Sequence, residues 1–195
     1  MHRNRPDYEL LWKGINLLVK NGVFTPDPDK TNSTSIILNN LPDIQGKDIL
    51  DMGCGTGIIG IYCALNGARK VVAVDVDKNA VENTRENIKR NNAKNIEVIL
   101  SNLFEHVMGS FDYIFGNLPI HDPSWDLGIS TTELLKKFLR ECKDYVHLGG
   151  AVYFTWNSDQ DIAPVKEFLQ ATNYLFEEII EEKSNKTWHL FQIRF

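Results

Sequence analysis

From Lys47 onward, short β-rich runs alternate with helical patterns: KDILDM, KVVAVDV, IEVIL, FDYIFGN and AVYFTW, with apolar residues at helical spacing between most of them. That alternation constrains the fold most strongly. Strands that are apolar on both faces, separated by crossovers long enough for a helix, specify a parallel sheet covered on both sides. Two further runs, LFEEII and TWHLFQIRF, are separated only by EEKSNK and therefore form an antiparallel hairpin at the C-terminal end.

The periodicity predicts helices elsewhere. Tyr8, Leu11, Trp12, Ile15, Leu18 and Val19 recur at helical spacing after Pro6-Asp7, with Asn21-Gly22 as a stop. Val23 to Ser35, rich in Pro, Asp, Ser and Thr, reads as a loop, with Ser33 or Thr34 capping a short helix through Leu41. Residues 131–147 form the clearest helix, with Ser130 and Glu133 as a capping box and Gly149-Gly150 behind it. The expected organisation is a helical extension and loop over 1–45, packed on a single α/β domain over 46–195.

The composition excludes several classes. A net charge of −5 gives no global basic field of the kind that drives salt-sensitive binding to nucleic acid. Cys54, Cys63 and Cys142 form no CxxC pair, so neither a zinc site nor a disulfide framework is expected, and a reduced, cytoplasmic protein fits. No run approaches the roughly 18 apolar residues of a membrane span.

The first β-run ends in Asp51-Met52-Gly53-Cys54-Gly55-Thr56-Gly57, and a helical stretch follows. Glycines there let the backbone turn sharply and approach a ligand, and the N–H groups of the next helix favour a polar or anionic group. The second run ends at Asp75, where a carboxylate can accept from two ribose hydroxyls. A nucleotide-like cofactor is the natural occupant. Gly55-Thr56-Gly57-Ile58-Ile59-Gly60 also fits the dinucleotide pattern, so the local spacing leaves a nicotinamide cofactor open.

The D-x-G-x-G-x-G run together with the terminal hairpin resembles the class I S-adenosylmethionine-dependent methyltransferases. That resemblance implies a seven-stranded Rossmann-like sheet of order 3-2-1-4-5-7-6 with strand 7 antiparallel. It implies that Gly53, Gly55 and Gly57, with Cys54 between them, line the methionine part of S-adenosylmethionine, and that Asp51 sits near its amino group. Asp75 would hold the ribose, with Val76 beside it, and Asn102 and Leu103 would meet the adenine.

FDYIFGN ends in Asn117-Leu118-Pro119-Ile120, which resembles the N-P-P-[Y/F] motif of the small methyltransferase group acting on RNA bases and protein glutamines. By that resemblance the Asn117 side chain and the Leu118 carbonyl hold the two N–H groups of an amino or amide nitrogen and aim its lone pair at the methyl. Leu118 stands in place of the first proline and Ile120 in place of the aromatic, so His121, Trp125, Trp156 or Phe24 would have to supply a planar surface. His121 would take the proton after transfer. Gly22-Val23-Phe24 is similar to a segment of the ribosomal-RNA guanine members, and GARKVVAVDVDKNAVENTRENIKRNN to the ribosomal-protein lysine methyltransferases.

The expected activity is therefore metal-free methyl transfer to a nitrogen of an RNA base or protein side chain, with a partner subunit as a source of recognition. The alternatives are a cofactor-binding scaffold without turnover and a nicotinamide-dependent oxidoreductase. Lys78, Arg85, Lys89, Arg90 and Lys94 read as a solvated helix face, and Trp12 and Trp188 as core.

Overall fold

The computed structural model describes residues 5–119 and 128–195. A two-stranded hairpin, β1 (Tyr8–Trp12) and β2 (Ile15–Val19), leads through a loop to α1 (Ser33–Asn39). Then follow β3 (Asp48–Met52), α2 (Ile58–Leu65), β4 (Lys70–Asp75), α3 (Lys78–Arg90), β5 (Ile96–Leu100), β6 (Phe111–Gly116) and α4 (Thr131–Glu141). The chain closes with β7 (Val146–Asn157), α5 (Ala163–Ala171), β8 (Leu175–Lys183) and β9 (Lys186–Arg194).

Seven strands form one sheet in the order β5-β4-β3-β6-β7-β9-β8. Counted from β3, this is the expected 3-2-1-4-5-7-6. Only β9 runs against its neighbours, pairing antiparallel with both β7 and β8. The β8–β9 turn is Ser184-Asn185, both in the left-handed region (φ 55° and 58°), as a two-residue hairpin with the twist of its strands requires.

Successive residues of the central strands enter opposite cores, because side chains alternate along a strand. Leu50, Val72, Ile114 and Val152 join the cluster that contains Phe138 of α4 and Leu169 of α5. Ile49, Val71, Phe115 and Tyr153 join the cluster that contains α1, α2 and β2 residues. With both faces covered, the strands need no polar alternation.

The N-terminal segment corrects the expected helix. Lys13 and Gly14 take positive φ (49° and 78°) and turn the chain tightly, so Tyr8–Trp12 pairs with Ile15–Val19. Ile15, Leu17 and Val19 are buried at alternate positions rather than at helical spacing. What stabilises this arrangement is distant in sequence. The backbone N–H groups of Asn16, Leu18 and Lys20 donate to the Oδ1 atoms of Asn91, Asn87 and Asn83, at 2.8, 2.8 and 3.0 Å. Four helical residues rise about 6 Å and two strand residues about 6.8 Å, so an asparagine every fourth position on α3 stands in for a neighbouring strand.

The 131–147 helix is also shorter than its pattern. It ends at Glu141, passes through one tight turn over Cys142–Asp144, and Val146 already pairs with Phe111 in the sheet. Gly149 (φ 82°) and Gly150 lie within β7, where the register against β6 shifts, instead of stopping a helix. A Cβ on Gly150 would fall 2.5 Å from the Asp112 carbonyl oxygen, so the glycine permits the two strands to meet.

Candidate active site

The carboxyl ends of β3, β4 and β6 converge on a cavity of about 1390 Å³ that the loop after β2 closes from the other side. This is the place where an open parallel sheet offers a ligand crevice. Gly53, Cys54, Gly55, Asp75, Val76, Asn102, Leu103, Asn117, Leu118 and Pro119 all line it, although they come from four separate stretches of chain. Ile120, His121 and Trp125 lie outside the described residues.

Gly53 and Gly55 form the floor. Both have positive φ (77° and 56°), and a Cβ on Gly53 would lie 3.2 Å from the Asn117 carbonyl oxygen. Nothing stands within 4 Å of the Cβ position of Gly55, which leaves a bare strip of backbone facing open space. Gly57 acts differently. It is absent from the lining, and its missing Cβ would sit 2.6 Å from Cγ2 of Thr84, so it lets α3 press against the loop. Thr84 in turn donates to the Gly55 carbonyl at 2.9 Å.

Asp75 projects its carboxylate at the loop. One oxygen accepts the Gly55 N–H at 2.9 Å and the other the Asp77 N–H at 3.0 Å, leaving lone pairs for a ligand hydroxyl. Burial pushes its pKa up, against the pull of those backbone donors. Asp51 lies behind the loop, fully buried and outside the lining. Its Oδ2 accepts the Gly60 N–H at 2.9 Å, and its Oδ1 has no partner. Burial raises its pKa to about 7, with the Gly60 N–H opposing and the charge of Asp75 adding to the rise. Burial, with the charges of Asp75 and Asp51, holds the Cys54 thiol well above its ordinary value, so it is no nucleophile.

Asn117 leaves β6 next to the glycine floor, its N–H donating to the Met52 carbonyl at 3.2 Å. Its side chain is clamped from two elements: Nδ2 donates to Thr34 Oγ1 of α1, and Thr155 Oγ1 of β7 donates to its Oδ1, each at 3.2 Å. Oδ1 retains one lone pair. Asn102 is exposed and donates through Nδ2 to Glu105 at 2.9 Å, which leaves its amide oxygen free to accept.

Several lining residues escaped the sequence reading. Trp188 lines the cavity from β9, and Asn157 from the end of β7, where the two are register partners. Trp156 faces the opposite core and is 1% exposed, so Tyr8, Phe24 and Trp188 are the aromatic residues of the lining among the described residues. No local pattern marks Trp188, because its access to the cavity depends on how the terminal hairpin pairs with β7.

The family model described as the methyltransferase small domain matches residues 14–188. The chain belongs to this family. The small-domain match decides against the nicotinamide reading of Gly55 to Gly60, and the cofactor is S-adenosylmethionine. The chain is 37% identical over 158 residues to a protein of Methanocaldococcus jannaschii provisionally named protein N5-glutamine methyltransferase, covering 75% of this chain and 78% of that one. It is 32% identical over 153 residues to ribosomal protein L11 methyltransferase of Thermosipho melanesiensis, covering 77% of this chain and 50% of that one. Among solved structures, a T. thermophilus 16S rRNA methyltransferase in complex with AdoMet and guanosine superposes with a TM-score of 0.73 at 21% identity, over 97% of this chain and 50% of that one. This chain thus spans about half the length of the latter two.

The small-domain fold meets the requirements of the cofactor on its own geometry. The open strip at Gly55 and the carboxylate of Asp75 fit a nucleoside with a polar amino-acid tail. Among the described residues no cluster of His, Cys, Asp and Glu is able to hold a metal ion, and no helix is long and apolar enough to cross a membrane.

Proposed function

We propose that this chain transfers a methyl group to an amino or amide nitrogen of a macromolecular acceptor, a protein side chain or an RNA base. The observation that carries this reading is the position of Asn117: it stands in the same cavity as Asp75 and the bare glycine floor, with its amide clamped by Thr34 and Thr155.

When bound, S-adenosylmethionine supplies an electrophilic methyl on a positively charged sulfur. The residues divide the remaining work. Gly53 and Gly55 give close backbone approach, Asp75 accepts from the ribose hydroxyls, Val76, Asn102 and Leu103 border the adenine, and Cys54 contributes packing. Asp51 and Gly57 act from behind, holding the loop against α2 and α3. Asn117 Oδ1 and the Leu118 carbonyl accept the two N–H groups of the acceptor, turning its lone pair out of conjugation and toward the donor, while Pro119 stiffens the turn. Positioning of this kind needs no protein nucleophile, and His121 is proposed as the proton acceptor afterwards.

The relatives named for protein glutamine, ribosomal protein and rRNA substrates support a macromolecular acceptor. Recognition by a partner subunit and a cytoplasmic setting belong to the same proposal, the latter resting on three free, buried cysteines. The test is transfer of labelled methyl from S-adenosylmethionine to separate pools of RNA and protein. Asn117→Ala is expected to abolish transfer while S-adenosylhomocysteine still binds. Retained transfer in Asn117→Ala would remove the site assignment, and binding without transfer to any pool would favour the scaffold.

A further inference from the structure

Thr155 and Asn157 lie two residues apart on β7 and so share a face, and Thr155 already touches the amide of Asn117. Asn157 is 5% exposed yet lines the cavity. Its orientation is determined: the Asp159 N–H donates to Oδ1 at 2.9 Å, an acceptor role that only the oxygen can play, so Nδ2 occupies the other side of the amide. Nδ2 donates to none of the described residues, and it is not fully inaccessible. A donor left free on an otherwise buried side chain that lines a cavity points to a ligand acceptor. Trp188 stands opposite Asn157 in the strand register, its ring held by an Nε1 donation to the Lys183 carbonyl at 3.2 Å.

We propose that Asn157 determines acceptor specificity: its Nδ2 donates to the carbonyl oxygen attached to the same carbon as the methylated nitrogen, so that the acceptor is a primary carboxamide on a protein side chain lying against Trp188. The inference rests on the reading of Asn117 as the residue that holds the nitrogen. Thr155, which donates to Asn117 Oδ1, and Asn157 are one strand step of about 6.8 Å apart, the scale of a single carboxamide with a hydrogen bond at each end.

A ring nitrogen beside an exocyclic base amine offers the same kind of acceptor, and charge separates the two classes. Four cations line the cavity among the described residues, and each has partners. Lys30 pairs with Asp27 at 2.7 Å, Lys137 with Glu141 at 3.9 Å and Lys186 with Asp159 at 2.5 Å. Arg5 donates to the carbonyls of Val19, Lys20 and Val23. RNA binding draws its affinity from cations that neutralise phosphates, and here the three lysines each sit beside a carboxylate while the Arg5 guanidinium is held by backbone carbonyls.

The experiment is an NMR titration of the full chain, saturated with S-adenosylhomocysteine, using N-acetyl-glutamine methylamide, its glutamate counterpart, adenosine, cytidine and guanosine. The glutamine probe is expected to bind saturably and shift the Asn157 side-chain NH₂ resonance, with the glutamate probe and nucleosides inert. Asn157→Asp keeps the acceptor for the Asp159 N–H but loses the donor, and should weaken the glutamine probe about tenfold or more. Asn157→Ala, which removes the donor without adding charge, should weaken it likewise, with S-adenosylhomocysteine affinity unchanged in both. Equal probe affinity in the Asn157 variants, binding of a nucleoside instead of glutamine, or binding of no probe would each overturn the proposal. Probe binding that falls in the Asn157 variants but persists in Asn117→Ala would overturn only the reading of Asn117.

Discussion

The carboxylate of Asp75 accepts the backbone N–H of Gly55 at 2.9 Å, so the acid at the end of β4 and the glycine loop after β3 form one surface before any ligand arrives. Replacing the acid therefore removes the proposed ligand contact and loosens the loop together. Asp75→Asn is expected to weaken S-adenosylhomocysteine about ten- to a hundredfold, the size of one hydrogen bond to a charged group, as read by calorimetric titration. Unchanged affinity would show that the ribose is held elsewhere.

Gly57 and Thr84 are as tightly related. Gly57→Ala sets a Cβ 2.6 Å from Thr84 Cγ2 at a φ of 82°, and Thr84 is fully buried with its hydroxyl committed to the Gly55 carbonyl. The left-handed backbone and the overpacking together should lower stability by about 2–4 kcal/mol in urea unfolding. Thr84→Ser removes Cγ2 and keeps the hydroxyl, so the double variant should recover part of the loss.

The asparagine ladder makes a prediction about the N-terminal hairpin. Asn87 is fully buried, accepts from the Leu18 N–H at 2.8 Å, and donates to the Leu18 and Thr56 carbonyls at 2.9 Å each. Asn87→Ala orphans the Leu18 N–H and the Thr56 carbonyl and leaves the Leu18 carbonyl to Asn83 alone, and a loss of about 2–4 kcal/mol is expected. Amide hydrogen exchange at Leu18 should accelerate more than exchange in β3 or β6; a uniform change would mean that the hairpin does not open as a unit.

Asp51 gives a pH dependence. Its native pKa is about 7, against an ordinary value of 3.8, because burial disfavours its charge. Between those values the native state binds the extra proton, so stability falls as pH rises through the window and the loss is complete above it. A carboxamide in its place does not titrate. The stability of Asp51→Asn relative to the parent should therefore climb between about pH 4.5 and 7.5, by on the order of a few kcal/mol, and then level. Urea midpoints of the cofactor-free protein across that range measure it, and a flat difference would mean that Asp51 stays ionised throughout.

Much of the site was legible because its chemistry is local in sequence. Gly53, Gly55 and Asp75 follow from a glycine turn at one strand end and an acid at the next, and Asn117 from the motif resemblance at the end of β6. Asp51 and Gly57 belong to the same motif, yet they face α2 and α3 rather than the cavity, since alternate residues of a strand and its turn point to opposite sides. Trp188 is core, as its alternating strand suggested, but that it also borders the cavity, like Asn157, carried no signal until the partner strand was known.

Local sequence was enough to dictate a parallel sheet, its terminal hairpin and its ligand end, because runs apolar on both faces, crossover lengths and a glycine turn leave few ways to connect strands, while the strand order came from the family resemblance. Packing settled what local pattern left balanced. Ile15, Leu18 and Val19 fit a helix, and Ile15, Leu17 and Val19 fit a strand. The strand wins because Asn83, Asn87 and Asn91, more than sixty residues away, satisfy its backbone edge, and Lys13-Gly14 turns where a helix would be weakened. Those hydrogen bonds form only once α3 has packed on the sheet, so no window of sequence around the hairpin contains the reason for it.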